Sequence, residues 1–515
     1  MRSDVGLKAL ALLLLIGCES ATTTAPAPRP DASHSNVERT DYIGPEACGA
    51  CHADEYARWS QSLHRVMNAG PEGVIGDFAQ TVRYAGGEAI FSKDAAGYAM
   101  AVRKGSSTTR YRVTRTIGRR GLQEYVGVEE GHTEEVRLPF GWWPRRAGWF
   151  AQPYFDPWLG DESHFDAYAP QREPWAERCP WCHSTYPFAQ RIARSNLPHG
   201  LGHGMEQWFT AAPGSERLAV GQQVTTGISC ESCHLGGRDH AAGGPIHFVP
   251  QAAGAGPAVP RKPFAEERRD PEIVNHVCAQ CHSGPSPRLS DHTALRNSSE
   301  ALDLEASPCK GIKCTDCHDP HRADSRADEA RALAACTHCH DSLAAPDAAK
   351  AHAGHATTSC LDCHMPKLVI GIDHVVRTHR ISSPTDATVI AAGGPNACNL
   401  CHLDRTIAWT VDELARGWDA KLPRSALAGY PDEPVGETWL ASAVPDYRII
   451  AAHAYARSPF AKAMLPALYR GLDDTLAYVR AWTQFAVEDV LGHPIDYDAR
   501  EPSELRRPRI AKLPR

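Results

Sequence analysis

The chain of 515 residues combines 42% hydrophobic residues with a formal net charge of −7. This acidic balance disfavours a nucleic-acid partner, because a phosphate backbone is bound mainly through Lys and Arg. It favours instead a basic docking patch on any partner protein. The composition is also rich in cysteine, which occurs 18 times.

One five-residue pattern, Cys-x-x-Cys-His, occurs eight times and uses 16 of the 18 cysteines. Two thiols three positions apart lie on one face of a helical turn, where they can form thioethers with the two vinyl groups of a haem. The following histidine then becomes the proximal iron ligand. A zinc site gives no reason for a histidine after every cysteine pair, so we expect eight covalently attached haem c groups. Numbered in chain order, motifs 1 to 8 are Cys48, Cys51 and His52; Cys179, Cys182 and His183; Cys230, Cys233 and His234; Cys278, Cys281 and His282; Cys314, Cys317 and His318; Cys336, Cys339 and His340; Cys360, Cys363 and His364; and Cys398, Cys401 and His402.

Residues 1–17 predict a lipoprotein signal peptide. Arg2 and Lys8 precede an apolar run that is too short for a permanent transmembrane helix, and Leu15-Ile16-Gly17-Cys18 resembles a bacterial lipobox. Acylation of Cys18 would tether the exported protein to a bacterial membrane, in the periplasm or at the cell surface. A cleaved signal followed by an incidental cysteine is the alternative. Residues 18–40, rich in Thr, Ala, Pro and Ser, predict a flexible linker.

The rest of the chain divides according to its local patterns. Residues 41–70 hold motif 1, whereas residues 71–150 lack the motif and show alternating β-branched runs bounded by Gly, which predicts a small inserted antiparallel sheet. Residues 151–405 carry seven motifs on loop-rich segments that bound haems would supply with a core. Residues 406–515 predict HEAT-like helices and an exposed basic tail. The expected fold class is mainly α and loop-rich, with the inserted sheet and a C-terminal helical region.

Eighteen histidines lie outside the motifs, against eight expected irons, so supply alone leaves each iron's coordination open. His64 follows motif 1 on a predicted helix and could face an iron, with a surface role as the alternative. His321 lies three residues after His318, so it cannot reach the far face of the same haem and would serve a neighbouring haem or none. His338 lies within motif 6 and is expected to be a bystander. The other candidate ligands are His240, the pair His352 and His355, the pair His374 and His379, and His199 and His203.

Several local sequences resemble the cytochrome c554 and hydroxylamine oxidoreductase superfamily of multihaem cytochromes, over roughly residues 42–405. They are Glu46-Ala47-Cys48 followed by Trp59 and His64, Cys317-His318-Asp319-Pro320-His321, Cys363-His364-Met365-Pro366 with the later Asp373-His374, and Asn396-Ala397-Cys398.

This resemblance implies a mostly helical, loop-rich fold in which closely spaced haems often carry two axial histidines. It implies distal ligands at His64, His240, His321, His355 and His374. Two defining features of enzymes in the superfamily are not carried over. No Cys-x-x-Cys-Lys occurs, and nothing in the sequence locates a tyrosine cross-linked to a haem.

Cys309 is the cysteine left over after the motifs and Cys18 are counted. It has no predicted disulfide partner, so it is an inert thiol, an iron ligand or a reaction site.

These features predict an octahaem cytochrome c that transfers electrons along closely spaced haems. Its partners would be redox proteins or quinol-linked cytochromes, and the membrane through Cys18. The alternative is an octahaem oxidoreductase that acts on a small nitrogen or sulfur compound, such as nitrite, hydroxylamine or tetrathionate, at one five-coordinate haem. A third hypothesis is an interaction module whose C-terminal helices recruit partners. The sequence identifies no catalytic residue.

Overall fold

The computed structural model describes residues 34–151, 166–171, 173–192, 220–253, 259–322, 324, 328–355, 359–427 and 432–514. The predicted signal peptide, Cys18 and the first part of the linker lie outside the described residues, as do His199 and His203. Among the described helices, none combines the length and the apolar composition that crossing a membrane requires.

Most helices of the described chain are short, and the longest occur after motif 8. Their bounds are α1 Pro45–Gly49, α2 Ala53–Trp59, α3 Leu63–Val66, α4 Trp175–Arg178, α5 Pro180–His183, α6 Phe188–Ile192, α7 Cys230–His234, α8 Arg238–Ala241, α9 Phe264–Glu267, α10 Pro271–Ala279, α11 Glu300–Glu305, α12 Cys314–Cys317, α13 Glu329–Cys339, α14 Pro346–Ala353, α15 Cys360–His364, α16 Ala387–Ala392, α17 Ile407–Trp418, α18 Val435–Leu440, α19 Pro445–Ala456, α20 Leu465–Gly471, α21 Ala477–Leu491 and α22 Ser503–Ile510.

An antiparallel sheet follows motif 1, as the alternating pattern predicts. Six strands lie in the order β2-β3-β4-β5-β6-β7, and β1 pairs with β5, so the sheet has seven strands. The two-residue turn Ala85-Gly86 joins β2 to β3 with positive φ angles of 45° and 79°, the backbone that a tight hairpin requires. The strand bounds, including two separate hairpins, are β1 Asn68–Ala69, β2 Thr81–Tyr84, β3 Gly87–Asp94, β4 Gly97–Lys104, β5 Ser107–Ile117, β6 Glu124–Glu129, β7 Glu135–Arg137, β8 Phe140–Trp143, β9 Gly148–Ala151, β10 Lys367–Ile370 and β11 Val375–Arg377.

Aromatic side chains of the β8–β9 hairpin join the seven-stranded sheet to the C-terminal helices. Phe91 and Trp149 stack within the core of the sheet. Trp143, on β8, packs edge-to-face against Phe485 of α21 at a centroid distance of 5.0 Å. The architecture is therefore helical with antiparallel sheets, and the sheet rests on protein rather than standing apart.

The end of the predicted linker is packed, which differs from the expectation for residues 18–40. Val37 is fully buried, and Asn36 exchanges hydrogen bonds with the backbone of Val249 and Gln251. Composition predicted flexibility because the segment is polar, but side-chain amides satisfied by backbone groups can be buried at little cost. Asn36 and Val37 are therefore part of the packed body.

The C-terminal helices form the largest hydrophobic cluster of the described chain. In α21, residues 479 to 488 are all buried, and α21 packs on α19. A buried ion pair of 2.7 Å joins Arg296, upstream, to Asp446 of α19. The basic tail, which was expected to be exposed, is attached to the helical region, because Arg506 of α22 is buried and pairs with Asp473 at 2.6 Å.

The segment from residue 308 to residue 360, which carries motifs 5 and 6, has almost no protein core. Of its described residues, Ala332 alone is buried. Helices α13 and α14 therefore have no protein interior of their own on which to pack.

Candidate haem sites

Every motif forms a helical turn. In six motifs the amide of the histidine donates to the carbonyl of the first cysteine, at 2.9 to 3.2 Å. Motifs 3 and 7 lie entirely within α7 and α15. This i to i−4 turn places both cysteines on one face with the histidine directly after them, as attachment of one haem requires.

Five motif histidines face a second histidine at nearly the same separation. The ring planes are close to parallel in four pairs and inclined by 47° in the fifth. The pairs, with their centroid distances, are His52 and His240 at 6.1 Å, His234 and His321 at 6.3 Å, His318 and His379 at 6.2 Å, His364 and His352 at 6.2 Å, and His402 and His355 at 6.1 Å.

This spacing fits a metal ion between two imidazoles. An imidazole nitrogen binds a metal ion at about 2 Å and lies about 1.1 Å from its ring centre, so two imidazoles on one iron have centres about 6.2 Å apart. All five pairs lie within 0.1 Å of that value. The residues present therefore fit haem iron with two axial histidines at these five motifs.

Several of these rings are oriented by backbone carbonyls. The Nδ1 atom lies 3.0 Å from the Gly244 carbonyl in His240, 2.7 Å from the Ala353 carbonyl in His355, and 2.8 Å from the Ser382 carbonyl in His364. An Nδ1–H that donates to a carbonyl leaves Nε2 with its lone pair, the tautomer that binds a metal.

Burial holds many of the candidate imidazoles neutral. Burial lowers the pKa of His64 and of His234 to about 4 in each case. It also lowers the pKa of His183, His379 and His402. The neutral ring is the form that can donate an electron pair to iron.

Motif 4 has a different environment. Nδ1 of His282 lies 3.2 Å from the Glu300 carboxylate, whose other oxygen accepts the Ser298 amide at 2.8 Å. Desolvation of the ring is outweighed by the Glu300 carboxylate, which raises the pKa of His282 to about 9. His64 is close enough to His282 to interact electrostatically, and its ring hydrogen-bonds with the Pro320 carbonyl.

The other candidate histidines are placed differently. His183 of motif 2 contacts Trp175, and within the described chain no ring contact joins His183 or His340 to another histidine. His374 is exposed on the β10–β11 hairpin beside Asp373, and no motif histidine faces it among the described ring contacts. His338 is exposed.

Cysteines of different motifs lie side by side. The Cys48 thiol lies beside that of Cys230, and the Cys278 thiol beside that of Cys314, close enough for each pair to interact. These sulfur atoms stand in for the thioether sulfurs that attached haem would create. The further neighbours are Cys182 with the Cys281 carbonyl, Cys233 with Cys278, Cys317 with Cys336, Cys336 with Cys360, and Cys363 with Cys401. Through these contacts motifs 1, 3, 4, 5, 6, 7 and 8 form a continuous series, and motif 2 lies beside motif 4.

Residues between the motif cysteines connect one motif to another. Glu231, inside motif 3 and 2% exposed, accepts the amides of Ile43 and Gly44 just before motif 1, at 2.9 and 2.8 Å. Trp181, inside motif 2, donates to the Gln280 carbonyl inside motif 4 at 3.0 Å. Residues between the two cysteines of a motif thus fix the position of one motif relative to another.

Spacing makes both members of the pairs His352 and His355, and His374 and His379, candidates, and the resemblance favours His355 and His374. The structure instead places His379 opposite His318, and both His352 and His355 opposite motif histidines. The expectation differed because spacing does not reveal which iron a histidine can reach. Glu231 and Glu300 were missed. The position of Glu231 inside a motif was a usable signal, whereas Glu300 is 18 residues from His282 and had none.

No protein-family model matches the chain, and no curated protein sequence matches it. Two solved structures are similar to it. The outer cell wall cytochrome OcwA has a TM-score of 0.40 and 17% identity, covering 88% of this chain and 95% of that one. The Wolinella succinogenes octahaem sulfite reductase MccA, form II, has a TM-score of 0.32 and 16% identity, covering 89% and 84%. The chain is similar to these multihaem cytochromes of known structure.

Proposed function

We propose that this protein is an exported octahaem cytochrome c that transfers electrons. The observation that carries the proposal is the set of five imidazole pairs, each with a motif histidine and a spacing of 6.1 to 6.3 Å. Haem iron, when bound, supplies one-electron redox chemistry. A site with two protein ligands on one iron leaves no position for a substrate, so this arrangement favours a carrier.

We assign axial partners on the same basis. The geometry supports His240, His321, His379, His352 and His355 as distal ligands for motifs 1, 3, 5, 7 and 8. His64 is proposed as the distal ligand of motif 4 from its electrostatic proximity to His282, although its ring also interacts electrostatically with His318 and His321. His374 receives no assignment, and its predicted ligand role remains without geometric support.

The proposed distal ligands come from segments that carry other motifs. His240 follows motif 3 yet faces motif 1, and His321 follows motif 5 yet faces motif 3. Each such histidine would limit the separation of two motifs. It faces one motif, and only three to six residues of backbone separate it from the motif that precedes it in the chain. Fixed, short separations between successive redox centres are what a carrier needs, and the backbone supplies them directly.

The test is spectroscopic. The purified protein should have the mass of the polypeptide plus eight haems, and His321→Ala should convert one low-spin haem to high spin in its electron paramagnetic resonance spectrum. His338→Ala is the matched control, since its exposed side chain faces no motif histidine in the described ring contacts, and it should leave the spectrum unchanged. A mass equal to the bare polypeptide, or an unchanged spectrum for His321→Ala, contradicts the proposal.

We further propose that acylation at Cys18 tethers the protein to a bacterial membrane, which rests on the lipobox-like sequence before it. Redox proteins or quinol-linked cytochromes would then be its partners. Cys18→Ala should move the haem-stained protein from the membrane fraction to the soluble fraction, and continued membrane association would contradict lipid anchoring.

A second candidate function is reduction or oxidation of a small nitrogen or sulfur compound at one five-coordinate haem. It is favoured by one observation, the exposure of His340 of motif 6 without a facing histidine among the described ring contacts. Such a site should give a high-spin signal in the unmodified protein and should bind cyanide, nitrite or hydroxylamine at once. A spectrum that is entirely low-spin would exclude it.

A further inference from the structure

Two proposed distal ligands lie three residues apart and face different motifs. His352, at the end of α14, faces His364 of motif 7, and His355 faces His402 of motif 8. Between them Gly354 has a φ of +65°, a left-handed backbone that ends the helix and turns the chain. This short segment therefore has to be held firmly if both rings are to keep their positions.

A protein contact to this segment comes from α17. Trp418, the last residue of α17, donates its indole N–H to the His352 carbonyl at 2.8 Å. The same indole ring lies 3.5 Å from the position that a Cβ on Gly354 would occupy. Since α14 has no buried residue, Trp418 is a protein contact that anchors this end of it.

The opposite end of α17 contacts His402, the motif 8 histidine that His355 faces. Trp409 packs against the His402 ring at a centroid distance of 4.8 Å. Its backbone amide donates to the side chain of the helix-capping residue Thr406 at 3.0 Å. Trp409 and Trp418 are nine residues apart, or about 13 Å along a helix.

The helix between the two tryptophans is fixed in the C-terminal core. Ile407, Thr410, Val411 and Leu414 are buried, and the three apolar residues among them belong to the largest hydrophobic cluster. A rigid element therefore contacts the proximal side of motif 8 at one end and the distal segment of motifs 7 and 8 at the other.

We propose that α17 is a positioning helix for the two imidazole pairs of motifs 7 and 8, with Trp418 holding the segment His352–His355 and Trp409 holding His402. The inference rests on the proposed axial roles of His352 and His355. It assigns to the C-terminal region a task at the iron sites, beyond covering them.

The test uses the haem-loaded full-length protein and the rate of cyanide binding to ferric haem. Cyanide can bind a six-coordinate iron only when an axial imidazole has left, so the rate follows the population of that open state. Trp418→Phe keeps an aromatic side chain but removes the indole N–H, and losing one ordinary hydrogen bond should raise the rate about fivefold. Arg416→Ala, at an exposed position of α17 whose side chain pairs with Glu413, is the control and should bind cyanide at the original rate.

A second variant tests the turn between the two proposed ligands. Gly354→Ala adds a Cβ at ordinary van der Waals distance from the Trp418 ring and strains a left-handed backbone that disfavours a non-glycine residue. Cyanide binding should again accelerate, by about fivefold or more.

His355→Ala distinguishes the proposed axial role of His355 from the proposed positioning role of α17. If it leaves every haem low-spin, the axial assignment is wrong and the proposed function is weakened. If it produces one high-spin haem while Trp418→Phe and Gly354→Ala bind cyanide at the original rate, the axial assignment holds and the positioning role of α17 is overturned.

Discussion

The C-terminal helices and the segment from residue 308 to residue 360 are folded by different means. In α21 ten successive side chains from Val479 to Glu488 are buried, whereas Ala332 is the one buried residue among those described between 308 and 360. The first region excludes water with its own side chains. The second carries motifs 5 and 6, and its apolar contacts would have to come from the attached haems.

Attached haems would therefore form the apolar core of the segment from residue 308 to residue 360, whereas the C-terminal helices supply their own core. A segment with so little buried apolar surface cannot offset the conformational entropy of ordering its backbone. The C-terminal region can do so. It contacts the motif-bearing part of the chain through the ion pair of Arg296 with Asp446 and through Trp409 and Trp418 of α17.

The largest expected effect follows from removing the haem of motif 6. The double variant Cys336→Ala with Cys339→Ala prevents attachment at motif 6, so residues 328–355 should lose their order and be cut rapidly in limited proteolysis. The C-terminal helices should stay intact, because their core is protein. Cys309→Ala is the control, since it removes a nearby thiol that lies outside the eight motifs. A proteolysis pattern shared by both variants would contradict folding of this segment around an attached haem.

The next effect attacks the protein core. Trp482, 1% exposed, packs against His453, Tyr478 and Phe485. Trp482→Ala should destabilise the C-terminal region by about 3 to 5 kcal/mol, measured by hydrogen exchange of α19 and α21. The Soret bands should change little, because no motif lies in this region. Trp482→Phe is the matched control and should lose much less.

A smaller effect depends on pH. Burial lowers the pKa of His453 to about 3, while Nε2 of its ring lies 3.0 Å from the Trp482 carbonyl. The unfolded chain binds a proton below about pH 6.5 and the folded chain only below about pH 3, so stability falls as the pH falls between these values. At pH 5 the loss should be about 2 kcal/mol.

The check is hydrogen exchange of α19 and α21 at pH 5 and at pH 7, in the unmodified protein and in His453→Gln. Comparison at one pH cancels the intrinsic exchange rates. The variant should lose less protection than the unmodified protein on going from pH 7 to pH 5, and equal losses would show that His453 does not govern this pH dependence.

The smallest effect concerns motif 4, upstream of both regions. Glu300 contacts the motif 4 histidine, and a carboxylate at this nitrogen makes the imidazole a stronger donor, which favours ferric iron. Glu300→Gln should raise the midpoint potential of one haem by about 60 mV, a tenfold change in its reduction equilibrium. Glu305→Gln, on the same helix, is the control for spectroelectrochemical titration.

The motifs themselves were readable because their chemistry is local. A haem attaches to five consecutive residues, so Cys-x-x-Cys-His specifies the turn that the structure contains at every motif. The antiparallel sheet was equally local, since alternation and two-residue turns are written in neighbouring positions. The packing of Asn36 and Val37 was not, because polar composition says nothing about a distant backbone that can satisfy an amide.

The sequence by itself determined where the Cys-x-x-Cys-His motifs lie and which histidine is expected on the near side of each haem. Only the tertiary structure decided which histidine faces which motif: His379 rather than His374 faces His318, and His352 and His355 divide between two motifs. The physical reason is that a proximal ligand is tied to its haem through the adjacent cysteine. A distal ligand comes from a separate segment, and its partner depends on how the whole chain packs.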